Sequence, residues 1–89
     1  MISHLTDEFR ECFASLPEVI KTKAKRAFKQ FSEDPYYPSL HFKQVHQAKP
    51  VFSVRITDYY RAVGLREGDA IVWYWVGPHP EYERIIKNP

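Results

Sequence analysis

The sequence predicts an α+β fold: an N-terminal helical hairpin packed on one face of a mainly antiparallel sheet of about four strands. Three observations predict it. Apolar residues recur at helical spacing over the first third of the chain, at Phe9, Cys12, Phe13 and Leu16, then at Ile20, Ala24, Ala27, Phe28 and Phe31. Beyond Pro38 that period gives way to alternation, with Phe52, Val54 and Ile56 on one side of a run and Val51, Ser53 and Arg55 on the other. The later runs are joined by "TDY" and "REGD", short turn material suited to antiparallel neighbours.

Each element follows from local chemistry. The first helix is expected over about 6–16, with Thr6 as cap and Asp7 and Glu8 at the positive end of the dipole. Pro17 suits the start of a second helix over about 18–33, which Asp34-Pro35 stops because the residue before proline leaves the α region. Strands are expected over about 39–45, 51–56, 60–65 and 70–76. The last, "AIVWYWV", is apolar on both faces, as suits the interior of a sheet. Alternation puts Trp73 and Trp75 on the face of Ile71, in the core. The tail "GPHPEYERI" then places His79, Glu81 and Tyr82 together after an apolar run, with Pro78 and Pro80 stiffening it.

The chain has 89 residues, which predicts a single domain. No run of apolar residues is long enough to span a membrane. "MISHLTDEF" lacks the charged-then-apolar order of a signal peptide, so a cytoplasmic protein is expected. Cys12 is the single cysteine, without a disulfide partner and without a basic neighbour to activate it, and reads as a core thiol. His4, His41, His46 and His79 show no metal-ligand spacing, and three scattered glycines make no nucleotide loop, so neither metal nor cofactor is expected.

Net charge is +2, but it is unevenly spread: residues 21–61 hold nine basic and three acidic groups. That points to a patch attractive to phosphates or an acidic partner. Lysines such as Lys21, Lys23, Lys25 and Lys29 on an exposed helix also account for it as plain solvation. A three-residue loop over 57–59 would set Arg55 opposite Arg61. Like charges directly opposite repel, and an anion between the two guanidinium groups relieves the repulsion. Arginines that simply reach solvent are the alternative.

"SVRITDYYRAV", followed by a turn, a β-rich strand and "GPHPEY", resembles the RelE/ParE superfamily of toxins from toxin–antitoxin pairs, as does "DPYYPSLHFKQV" upstream. The likeness runs over nearly the whole chain in element order. It implies the RelE-like fold, which commonly opens on a short strand; here only "ISHL" is available for one, and its composition makes a poor strand.

What the resemblance implies about activity is cleavage of messenger RNA at the ribosome without a metal, by attack of a ribose 2′-hydroxyl on the adjacent phosphate. That reaction needs a base, an acid and cations for the developing charge. By position, Arg61 matches the arginine that stabilises charge at the scissile phosphate, and Arg55 the assisting basic position on the preceding strand. His79 falls where some relatives carry a histidine suited to either proton role. Tyr82 matches the tail tyrosine that acts as base or stacks on a nucleobase. Lys43, Lys49 and His46 are expected to contact RNA backbone. A terminal helical turn packing Tyr82 and Ile85 on the sheet is the competing reading of the tail. The resemblance also implies a cognate antitoxin as partner, a segment that folds on contact. Its alternatives are a ParE-type inhibitor of DNA gyrase without nuclease activity, and an inactive relative that binds only its antitoxin.

Overall fold

The computed structural model describes residues 1–89. In chain order the elements are β1 (Ile2–Leu5), α1 (Asp7–Ala14), α2 (Glu18–Glu33), a 3-10 turn (Pro38–Leu40), β2 (Lys43–Gln44), β3 (Val51–Arg55), β4 (Tyr60–Glu67), β5 (Ala70–Pro78) and α3 (His79–Lys87). The fold is α+β, with a five-stranded sheet in the order β1-β5-β4-β3-β2. All neighbours are antiparallel except β1, which runs parallel to β5. No helix is long and apolar enough to cross a membrane.

The first helix begins where its cap chemistry says it should. Thr6 Oγ1 accepts from the Phe9 backbone N–H at 3.1 Å and donates to the Trp73 carbonyl at 3.0 Å, so one hydroxyl caps α1 and ties it to β5. On α2, Ala24, Ala27 and Phe31 form the buried stripe. Small Ala24 and Ala27 let the helix approach the sheet, and the aromatic side chains fill the gap. Phe28 and Phe31 both meet the Trp73 ring edge-on, at 5.2 and 5.4 Å between centroids.

Three features depart from the sequence expectation. β1 was unreadable as a strand because all four of its residues are exposed. Backbone bonds hold it instead, such as Ile2 N–H to Asp69 O at 2.9 Å, helped by Trp73 Nε1 donating to Ser3 Oγ at 3.1 Å. In place of a strand over 39–45 the chain makes the 3-10 turn, buries Leu40 and Phe42, and pairs only Lys43 and Gln44 with β3. The third departure is a β-bulge. Val63 pairs with Trp75 but Gly64 pairs with Trp73, which leaves Tyr74 as an extra residue on β5. Gly64 is suited to this place because a Cβ there would sit 2.8 Å from the Val72 carbonyl oxygen.

The bulge changes the faces of β5. Trp73 packs with Phe9, Phe31, Val54 and Ile71 under the helical hairpin, whereas Trp75 packs with Val51, Val63 and Tyr82 on the other face. The expectation that both tryptophans share the face of Ile71 is therefore corrected. The tail forms the helix α3, in line with the competing reading of a helical turn packing Tyr82 and Ile85 on the sheet, and its Tyr82, Ile85 and Ile86, at i, i+3 and i+4, cover that second face.

Candidate functional site

The site is built on one cross-strand row. Arg55 of β3 stands opposite Arg61 of β4, and Arg61 stands opposite Gly77 of β5. Residues directly opposite on a sheet share a face, and so do residues two apart on a strand. The row therefore lies on the face of Ser53 and Val63, which α3 covers, but two residues beyond them toward the β3–β4 turn. At that end of the sheet α3 begins. The backbone N–H of its first residue, His79, donates to the Tyr59 carbonyl at 2.6 Å, so the histidine is anchored to the same turn that joins the two arginine strands. Trp75 fills the space above Gly77, where a Cβ would lie 2.6 Å from its ring.

The like-charged pair is accommodated by the turn itself. Arg55 Nη2 bonds to the Asp58 carboxylate, and Arg55 Nη1 reaches the Ser39 carbonyl at 3.4 Å. Arg61 Nη1 donates to the carbonyls of Thr57, Asp58 (3.2 Å) and Tyr60 (3.1 Å). These bonds use one nitrogen of the Arg61 guanidinium, leaving Nη2 and Nε available to an anion. Thr57 Oγ1 stabilises the turn by accepting from the N–H groups of Tyr59 and Tyr60, both at 3.2 Å. Asp58 is held below the usual carboxylate range, first by its hydrogen bond from Arg55, then by the charge of Arg55, with smaller help from Arg61 and His41. In the sequence, "TDY" reads only as turn material. The signal was there in an acidic residue three positions from each arginine.

Tyr82 is placed differently from the expected proton-handling group. Tyr82 is 8% exposed and its hydroxyl donates to Ser53 Oγ at 3.2 Å, in the layer between α3 and the sheet. The cause is the amphipathic spacing of α3, which turns the phenol inward. Its ring centroid lies 5.5 Å from that of His79 and 6.5 Å from that of Trp75. In this arrangement it props His79 from beneath.

The three residues expected to contact RNA backbone are not gathered at this row. Lys43 is exposed on β2, opposite Ser53. His46 and Lys49 lie in the β2–β3 loop, which enters β3 at Val51. Four residues of strand, roughly 13 Å, separate that end from Arg55. The His46 ring is occupied in shaping its own loop, with Nδ1 accepting from the N–H groups of Ala48 (3.1 Å) and Lys49 (3.0 Å). Gln44 Nε2 closes the loop on the carbonyls of His46 (3.1 Å) and Lys49 (2.9 Å). The described chain has no group of three or more His, Cys, Asp or Glu side chains placed to hold a metal ion.

What the row can do chemically is limited and definite. It offers a guanidinium with free donors, a second guanidinium beside it, and an imidazole at a fixed helix start, all at one end of the sheet. Guanidinium groups so placed can receive an anion, and an imidazole can carry a proton.

Comparison with known proteins agrees with this architecture. The pattern of the ParE-like toxin domain matches residues 18–84. Among curated protein sequences none matches this chain. Among solved structures, the antitoxin–toxin complex RelB–RelE from Methanococcus jannaschii is similar, with a TM-score of 0.74 at 14% identity, over 92% of this chain and 96% of that one. YafQ from Escherichia coli superposes with a TM-score of 0.72 at 8% identity, over 90% and 94% of the two chains. The toxin–antitoxin complex RelBE2 from Mycobacterium tuberculosis gives 0.69 at 21% identity, over 88% and 96%. At such identities these likenesses speak for the fold.

Proposed function

This chain belongs to the ParE-like toxin domain family, within the RelE/ParE superfamily, and on that premise we propose that it is the toxin of a toxin–antitoxin pair that cuts messenger RNA at the ribosome. The observation that carries this reading is the Arg55–Arg61–Gly77 row, with His79 bonded through its backbone to the turn between the two arginine strands.

The reaction in this reading is an internal transfer. A ribose 2′-oxygen attacks the adjacent phosphorus while its proton passes to a base. The bond from phosphorus to the 5′-oxygen breaks and that oxygen takes a proton from an acid, leaving a cyclic phosphate and a free 5′-hydroxyl. Arg61 binds a non-bridging oxygen and stabilises the charge that develops there, through Nη2 and Nε. Arg55 adds charge from the next strand once its carboxylate partner is displaced or shared. His79 carries one of the two proton transfers. Tyr82 serves this reading as a positioning residue for His79, because its hydroxyl is engaged by Ser53. No metal is needed for any step.

An antitoxin is the partner in this reading. Support comes from the solved complexes above, whose toxin chains share this fold. An apolar groove of about 770 Å³, lined by Met1, Leu5, Phe9, Phe13 and Phe28 and edged by Arg10 and Lys25, offers an amphipathic acidic segment a place to fold.

Induced expression tests the reading. Growth should stop, new 5′ ends should be found within translated messages by primer extension, and Arg61→Ala should restore growth while the protein stays folded. A second reading follows from the family match itself, since it is to a ParE-like domain: inhibition of DNA gyrase. Intact messages together with blocked supercoiling would establish that reading in place of the first. Unaffected growth would leave antitoxin binding as the remaining role.

A further inference from the structure

A second cluster of cations lies outside the row. Lys23 and Arg26 of α2, with Tyr37, Ser39 and Arg55, line a polar pocket of about 300 Å³ where α2 meets the 3-10 turn and the end of β3. Lys23 and Arg26 are exposed and neither has an acidic partner: the chain's two ion pairs are Lys21–Glu18 and Arg55–Asp58. Three positive charges thus face one pocket, and only Arg55 has a carboxylate beside it. Lys23 and Arg26 sit at i, i+3 on the helix, where like charges repel, an arrangement that favours an anion between them.

We propose that this pocket is a second phosphate site, holding the backbone of the RNA strand beside the phosphate at Arg61. The inference rests on the reading of the protein as a toxin directed at RNA. Arg55 joins the two places, because its Cα pairs with Arg61 while its guanidinium reaches the Ser39 carbonyl at the pocket. The surroundings select a nucleotide over an acidic protein segment. The ring of Tyr37 (44% exposed) lines the pocket beside the cations, an aromatic face next to positive charge of the kind that grips single-stranded RNA. A segment that folds on binding needs apolar surface to bury. That surface lies in the groove lined by Phe9, Phe13 and Phe28, which Lys25 and not Lys23 borders. Neighbouring positions of α2 thus serve two separate hollows.

The test is fluorescence anisotropy of a short 2′-O-methyl RNA, which has no attacking hydroxyl and stays intact, titrated with the full chain over a range of salt. Each phosphate contact to a single strand adds about 0.7 to the slope of log affinity against log salt, so Lys23→Ala with Arg26→Ala should make it shallower by about 1.4. The exchange Lys23→Arg with Arg26→Lys should keep the wild-type slope. An unchanged slope in the alanine pair overturns the pocket. So does loss of affinity for an acidic antitoxin peptide with RNA binding intact. If that alanine pair binds as wild type while Arg61→Ala abolishes cutting, only the pocket falls. If the wild-type chain shows no salt-dependent RNA binding, the pocket falls, while new 5′ ends by primer extension after induced expression decide the nuclease reading separately.

Discussion

The Tyr82 hydroxyl donates to Ser53 Oγ at 3.2 Å, tying α3 to the middle of the third strand. Both groups are buried, with Ser53 at 2% exposure, so neither has water as an alternative partner. Tyr82→Phe removes the bond and strands the Ser53 hydroxyl, at an expected cost of about 1–2 kcal/mol in urea denaturation. Tyr82→Ala should cost more, about 3–5 kcal/mol, because the ring also fills the space over Val51, Val63 and Trp75. Under the positioning role, Tyr82→Phe retains RNA cutting within a few-fold while Tyr82→Ala loses it with the anchoring of His79. Loss of cutting in the phenylalanine variant at near-normal stability would instead put the phenol in the chemistry.

Asp58 gives an acid-side prediction. Its carboxyl is held below the usual range by the hydrogen bond from Arg55 and by Arg55's charge. A depressed folded value means that the stabilisation is fully present above the unfolded value, about 4, and is lost as pH falls through the folded one. Thermal midpoints of wild type and Asp58→Asn should therefore differ most above about pH 4 and converge in stronger acid. The difference should be small, since the pair is open to solvent. Freed of its carboxylate, Arg55 should also bind RNA more tightly in the asparagine variant. Weaker binding there would mean that Asp58 organises the turn more than it competes for the charge.

The helices and the Arg55–Arg61 pairing were legible because burial and turn length leave direct marks on sequence. Phe9, Ala24, Ala27 and Phe31 are spaced by the helical repeat they obey, and a three-residue loop fixes its own register. β1 left no mark, because an edge strand held by backbone bonds puts no demand on side chains. The bulge left none either. Period-two counting assumes an unbroken ladder, and the one extra residue, Tyr74, inverts every face assignment after it. For the candidate site, Arg61 and His79 are proposed from resemblance and order. The inward turn of Tyr82 matches the competing reading of the tail, a helical turn packing Tyr82 and Ile85 on the sheet, and Ile86 completes that short stripe. Charge alone leaves Lys23 between a phosphate-attracting patch and plain solvation and does not single out Arg26, because nothing in their spacing says that the 3-10 turn folds back beside them.

Gly77 is the position where the floor of the site is most tightly determined. A Cβ there would lie 2.6 Å from Trp75 Cζ2 and 3.1 Å from Cη2, so the indole rests directly on the glycine backbone. Gly77→Ala must lift the ring, which is itself in contact with Tyr82. The expected loss is about 1–3 kcal/mol, with a change in tryptophan fluorescence and a fall in cutting as His79 shifts. Adding Trp75→Phe, which shortens the ring, should recover part of the stability lost. No recovery would place the strain in the backbone instead.

Tyr74, the bulge residue, is where a substitution should stabilise. Its hydroxyl is buried without a hydrogen-bond partner, an arrangement that costs about 1–3 kcal/mol relative to a paired group. Phenylalanine keeps the ring and discards the orphaned oxygen, so Tyr74→Phe should gain about 1 kcal/mol near neutral pH. Burial also pushes the phenol above its ordinary value. A raised folded value means that the folded chain keeps the proton longer than the unfolded one. Stability contributed by this group is then fully present below the unfolded value, about 10, and is lost as pH rises from there through the folded one. The advantage of Tyr74→Phe should therefore widen in alkali, measured as denaturation midpoints of the two proteins from neutral pH upward. Equal midpoints at neutral pH would show that the hydroxyl finds a partner in solution.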